Sequence, residues 1–120
     1  MIRLLIVEDE TLFRLGLHRL LSLNPDFSVI GEAADGEQAL AQAAALAPDL
    51  IIMDVNLPRL SGIAALEQLR AAGSSIPVIL LSNFDEEDAF LRKDVPFEDL
   101  TSTIHAALRG RTYLPLHHYR

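Results

Sequence analysis

At 120 residues, 50% of them hydrophobic, the chain has the length and apolar content for one domain around a single well-filled core, and it shows no linker or low-complexity tract. Zero cysteine excludes disulfides, thiolate metal sites and thiol nucleophiles, and no apolar stretch approaches the ~20 residues of a membrane span. Ten basic against 17 acidic residues, a net charge of -7, disfavour nonspecific attraction to nucleic acid or an anionic membrane and suit a cation or a basic patch on a partner.

Met1-Ile2-Arg3 runs straight into an apolar segment, not into a signal peptide, so a cytoplasmic protein is expected. Residues 3–7 read as a buried strand, and Asp9 to Thr11 supply capping groups for a helix. In that helix Leu12, Leu15, Gly16, Arg19, Leu20 and Leu23 run at helical spacing until Asn24-Pro25. Residues 27–33 form a second strand with a polar interruption that an edge position tolerates. Asp35-Gly36 turns the chain into an alanine-rich helix through Leu46, ended by Pro48. Residues 50–53 are apolar without alternation, which predicts a central strand covered on both faces. After a loop from Asn56 to Ser61, a helix over 62–71 breaks at Gly73, and Pro77 opens a strand over 78–81. A short run, Phe90-Leu91-Arg92, precedes Lys93, and Pro96 with Glu98 and Asp99 begins a last helix to about Leu108. Strands alternating with helices through short connections predict an open, doubly wound parallel sheet of α/β class.

All four apolar runs end on polar groups: Glu8-Asp9, Asp54, Ser82 and Lys93. In parallel strands those ends share one edge, and in the common order 2-1-3-4-5 the first and third strands flank the switch point. Three crowded carboxylates repel each other unless a cation intervenes. Oxygen ligands from acids and a loop carbonyl describe Mg²⁺, and an Asp carboxylate is a competent nucleophile toward phosphorus. Ser82 would donate a hydrogen bond to a phosphoryl group there, and Lys93 would pair with it as a point charge.

The chain resembles a response-regulator receiver domain of flavodoxin-like architecture, most like the receivers of LuxR-type helix-turn-helix regulators. The resemblance is carried by Leu5-Ile6-Val7-Glu8-Asp9-Glu10, Gly31-Glu32-Ala33, Gly36-Glu37-Gln38-Ala39-Leu40, and Pro48-Asp49-Leu50-Ile51-Ile52-Met53-Asp54. It continues through Pro58, Gly62, Val78-Ile79-Leu80-Leu81-Ser82 and Lys93. It implies that Asp54 is the phosphoacceptor, that Asp9 ligates Mg²⁺ directly with Glu8 acting largely through water, and that the Asn56 carbonyl completes the metal site. Ser82 becomes the hydroxyl that follows the phosphate, Lys93 the site lysine, and Phe90 the aromatic switch position. It further implies a histidine kinase or histidine phosphotransfer protein as phosphodonor in a two-component or phosphorelay pathway, slow self-dephosphorylation and no other enzyme activity.

One departure stands out. The family places a whole helix between the strand-four hydroxyl and the strand-five lysine, whereas only Asn83 to Ala89 and a short strand separate Ser82 from Lys93 here. A parallel crossover normally takes a dozen or more residues, so that helix is expected to be absent or reduced to a turn. Its loss would uncover strand four and favour a homodimer or partner docking there, with Phe84 and Phe90 among the contacts. Asp85 to Asp88 read as a solvated acidic loop, Arg14 and Arg19 as a solvated helix face, and His18 and His105 as surface or boundary residues. Residues 111–120, with Tyr113, His117, His118, Tyr119 and Arg120, read as a flexible tail.

The expectation is a stand-alone atypical receiver spanning 1–120, with no direct DNA binding and no membrane association. Two alternatives stay open. A degenerate receiver that binds proteins without phosphorylation is favoured if Ser82 or Lys93 is misplaced. A small phosphohydrolase of the haloacid-dehalogenase type also uses a strand-end Asp, but its Asp-x-Asp pattern is broken here by Asn56.

Overall fold

The computed structural model describes residues 1–82 and 91–109. In chain order it contains β1 (Ile2–Val7), α1 (Thr11–Ser22), β2 (Phe27–Ala33), α2 (Gly36–Leu46), β3 (Leu50–Asp54), α3 (Gly62–Ala71), β4 (Val78–Ser82), β5 (Leu91–Arg92) and α4 (Phe97–Leu108). The five strands form one sheet in the order β2-β1-β3-β4-β5, and every neighbouring pair is parallel. All strand carboxyl ends therefore open on one edge, with β1 and β3 side by side at the switch point.

Alternation along the strands divides the core in two. Leu4, Ile6, Leu50, Ile52, Ile79 and Leu81 pack on one face of the sheet against Leu17 and Leu21 of α1 and Leu100 and Ile104 of α4. Leu5, Val7, Ile51, Met53, Val78 and Leu80 pack on the other against Ala39 and Ala43 of α2 and Ala65 and Leu69 of α3. The small alanines leave room for α2 close to the sheet, while β3, buried over its whole length, holds the central position that its unbroken apolar run predicts.

Local signals account for most boundaries. Asp35 caps α2 by accepting from the Gln38 N–H at 2.7 Å, and Ser61 caps α3 by accepting from the Ala64 N–H at 3.1 Å. Helix α2 ends where Ala47 turns left-handed at φ 46°, one residue ahead of Pro48. The amino end of α1 differs from expectation: Glu10 occupies the cap position without a side-chain cap bond. Its N–H instead donates to Glu8 Oε2 at 2.9 Å, tying the helix start to the acidic turn.

Two features are settled by packing. The stripe of Leu12, Leu15, Leu20 and Leu23 is the outer face of α1, exposed by 80%, 48%, 45% and 79%, while Phe13, Leu17 and Leu21 at i, i+4, i+8 face the core. The helix carries apolar residues nearly all round, so helical spacing identifies the element without choosing its buried side. Strand β4 is also not uncovered: Val78, Ile79, Leu80 and Leu81 are all buried, the first and third in the core formed with α2 and α3. Residues 83–90, which include Phe84, Asp85 to Asp88 and Phe90, and the tail over 110–120 lie outside the described residues.

Candidate functional site

The site begins with what the sheet brings to its carboxyl edge. Asp54 is the last residue of the central strand β3 and is 3% exposed; Glu8 follows β1 and is 1% exposed. Asp9, next to Glu8, is exposed at the mouth. One carboxylate oxygen from each of Glu8, Asp9 and Asp54 lies within 4.8 Å of the others. Lys93 reaches the same place from just beyond β5: its Nζ is 2.7 Å from Glu8 Oε1 and 3.1 Å from Asp54 Oδ2. Its backbone N–H donates to the Ser82 carbonyl at 2.8 Å, extending the β4–β5 ladder, in which Leu81 faces Leu91 and Ser82 faces Arg92. The short crossover thus delivers the lysine to the acids, with its ammonium 4.7 Å from the centre of the Phe13 ring. Ser82 is fully buried at the end of β4.

The electrostatics follow from this crowding. Burial pushes the Glu8 carboxyl above its ordinary range and the Asp54 charge adds to it, against the pull of Lys93 and the Glu10 N–H. Burial also opposes charge on Lys93, but hydrogen bonds and attraction from Glu8 and Asp54 more than offset it and hold the ammonium above its ordinary value. Glu8 Oε1 is buried and is held by the Lys93 ammonium at 2.7 Å. One ammonium balances one of the three carboxylates. Two negative charges remain on an oxygen-only donor set with an exposed opening, which fits a hard divalent cation such as Mg²⁺.

Backbone packing fixes the loop that follows Asp54. The Asn56 N–H donates to Asp54 Oδ1 at 3.1 Å, so Asn56 sits next to the carboxylate. The Gly62 N–H donates to the Val55 carbonyl at 2.9 Å, and a Cβ at Gly62 would stand 2.2 Å from the Asp54 carbonyl oxygen. A Cβ at Gly36 would stand 2.0 Å from the Leu60 carbonyl oxygen. Only glycine lets the loop approach both helices this closely. Arg59, itself left-handed at φ 67°, pairs with the buried Asp35 at 3.3 Å and pins the loop to the start of α2.

Glu8, Asp9, Asp54, Asn56, Ser82 and Lys93 are all on the edge that the sequence predicts for them, whereas Phe90 lies outside the described residues. Three contributors escape sequence reasoning. Phe13 is hidden because apolar residues nearly all round α1 leave its buried side open. The Asp35–Arg59 pair joins two separate loops. Arg14, expected in a solvated face, is only 20% exposed and pairs with Glu32 at 2.9 Å. An arginine five residues past an acid pair is compatible with a bond back to that turn, but only the edge-strand glutamate on the far side identifies it.

The arrangement has the parts for in-line attack by Asp54 on phosphorus: a buried carboxylate, a long-stemmed cation beside it and a cluster suited to a metal. Comparison with known proteins identifies the family. The model of the response regulator receiver domain matches residues 4–104. The chain is 37% identical over 122 residues to the nitrate/nitrite response regulator protein NarL of Escherichia coli (strain K12), a match covering 92% of this chain and 56% of that protein. It is 33% identical over 125 residues to the transcriptional regulatory protein LiaR of Bacillus subtilis (strain 168), covering 95% and 59%. The chain therefore spans somewhat over half the length of these curated relatives. The signal receiver domain of the response regulator NarL from Mycobacterium tuberculosis superposes with a TM-score of 0.86 at 30% identity, covering 92% of this chain and 98% of that one.

Proposed function

The chain belongs to the response regulator receiver family, and from that premise we propose that it accepts a phosphoryl group on Asp54 from a phosphohistidine, with Mg²⁺ at the acidic cluster. The observation that carries this reading is the junction of Asp54 with Lys93 at 3.1 Å, inside a cluster shared with Glu8 and Asp9. Glu8, Asp9, Asp54 and the Asn56 carbonyl would hold the ion, which when bound supplies positive charge against the phosphoryl oxygens.

The residues of the chain account for the rest. Asp54 is fixed at the end of a rigid central strand with one oxygen engaged by the Asn56 N–H, so little orientational freedom is lost on attack. A P–O bond forms to Asp54 as the P–N bond of the phosphohistidine breaks, and the departing imidazole keeps the electron pair and a proton. Lys93, already at Asp54, follows the added charge, and the Ser82 hydroxyl donates to a phosphoryl oxygen. A histidine kinase or a histidine phosphotransfer protein is the donor, and the chemistry belongs in the cytoplasm. Among the described residues no helix is long and apolar enough to cross a membrane. The reading of a phosphorylation-independent binding module depends on a misplaced Lys93 or Ser82, and the lysine–aspartate contact supports the phosphoacceptor instead.

The test is incubation with phosphoramidate and Mg²⁺, followed by intact-mass measurement. The native chain should gain one phosphoryl group, and Asp54→Asn and Asp9→Ala should gain none. Persistent labelling of Asp54→Asn would refute the assignment.

A further inference from the structure

The Glu8–Asp9 turn is where the β1 ladder ends, so part of its backbone needs partners from outside the sheet. The Glu8 N–H still finds the Ala33 carbonyl of β2 at 2.9 Å. The Glu8 carbonyl lies past the ladder and accepts from Arg14 Nη1 at 2.6 Å. From the same guanidinium, Nε donates to Glu32 Oε1 at 2.9 Å, and Glu32 stands beside Ile6 in the β1–β2 register. His18, one turn further along α1, closes the group through Nδ1 on Glu32 Oε2. Burial raises the Glu32 carboxyl, but hydrogen bonds from His18 and Arg14 outweigh it and hold the group below its ordinary value. Glu32 therefore keeps its charge at neutral pH.

We propose that Arg14, anchored by Glu32, is a positioning residue for the metal site: it fixes the Glu8 peptide so that the Glu8 side chain points inward and Asp9 emerges at the mouth. This inference rests on the Mg²⁺ reading given above. Two observations single out the backbone carbonyl as the point of control. Helix α1 has no side-chain cap, and past the Glu8 N–H the turn before it is held by the Arg14 bond to the Glu8 carbonyl, with the Glu8 side chain tied to the Glu10 N–H and to Lys93. The guanidinium also serves two acceptors in different directions, a carbonyl and a carboxylate, which a lysine ammonium on a flexible stem does not reproduce. The charge of Arg14 by itself opposes a cation in the neighbouring cluster. Electrostatics and positioning consequently predict opposite signs when it is removed.

The experiment is Mg²⁺ titration followed by amide chemical shifts of the folded native chain, Arg14→Gln, Arg14→Lys and Glu32→Gln, with urea unfolding of each in the absence of Mg²⁺. Positioning predicts that both Arg14 variants bind Mg²⁺ about tenfold more weakly, as for loss of an outer partner of a metal ligand, although one of them retains the charge. The Glu8 and Asp9 amides should shift before any metal is added. If the folded Arg14→Gln chain binds Mg²⁺ equally or more tightly, the inference is overturned, even if its urea midpoint has dropped. Should Arg14→Gln not fold, Arg14→Lys, which keeps the charge, decides by the same criterion. Absence of Mg²⁺ binding by the native chain would instead remove the metal reading itself.

Discussion

Replacing Lys93 by methionine isolates the charge at the centre of the site. Methionine keeps most of the aliphatic stem, so the loss falls on the ammonium that stands 2.7 Å from Glu8, 3.1 Å from Asp54 and 4.7 Å from the centre of the Phe13 ring. All three side chains are at most 8% exposed, so water does not replace the missing cation. Removing one partner of a buried ion pair costs about 3 to 5 kcal/mol. The open mouth at Asp9 favours the lower end, about 3 kcal/mol, and at about 4 °C per kcal/mol for a domain of this length the melting temperature should fall by about 12 °C. In the native chain Lys93 has a raised pKa, so its contribution is complete below 10.5 and disappears only as pH climbs through the higher folded value. Glu8 is raised above 4.5, so the folded chain binds its proton more tightly than the unfolded one, and stability gains as pH falls through the folded Glu8 value toward 4.5. Without Lys93 the upward pressure on Glu8 grows. The deficit of Lys93→Met should therefore be largest near neutral pH and shrink toward about pH 5. A divalent cation should restore part of it, by about 1.4 kcal/mol at ten times its dissociation constant. Calorimetric melting at two pH values with and without Mg²⁺ checks all of this; a deficit that is absent, or that grows on acidification, would refute the reasoning.

Gly36→Ala should destabilise the chain by about 1 to 3 kcal/mol through overpacking, since the new Cβ would meet the Leu60 carbonyl at 2.0 Å, and it should weaken labelling at Asp54 by moving the loop. Gly16→Ala, with nothing within 4 Å of the added atom in mid-helix, should stabilise by about 0.5 to 1 kcal/mol; urea midpoints separate the two. Leu21→Ala should cost about 2 to 5 kcal/mol because Leu21 is fully buried, whereas Leu12→Ala should stay within about 0.5 kcal/mol, and equal losses would restore the opposite face of α1 as the buried one. Glu32 is held below its ordinary 4.5, so its contribution is present above that value and lost as pH falls through the folded one. Glu32→Gln should flatten the acid limb of the stability profile below about pH 5, and an unchanged limb would show that the brace does not survive in solution.

Much of this protein is legible in its amino-acid sequence. The unbroken apolar run Leu50 to Met53 marks the central strand, the polar interruptions in residues 27–33 mark an edge, and Asp35, Ser61 and the prolines set helix limits within a residue or two. The polar groups at strand ends announce the site, because parallel topology carries every such end to one edge. Composition and local pattern suffice for these features since each depends on neighbours in sequence. The rest depends on neighbours in space. Which side of α1 faces the sheet cannot be read from a helix with leucines nearly all round, and it decides that Phe13, not Leu12, lies under Lys93. The burial of β4 comes from both faces of the sheet, Val78 and Leu80 packing with α2 and α3 and Ile79 and Leu81 with α1 and α4. Likewise Arg14 acquires a role only when Glu32 of the edge strand meets it, 18 residues away. Sequence by itself determined the strand-helix order, the parallel sheet and the identity of the charged edge, because periodicity and capping are local. Tertiary structure alone decided how those charges are paired, since ion pairs between separate strands and helices are set by packing distance, which no local pattern encodes.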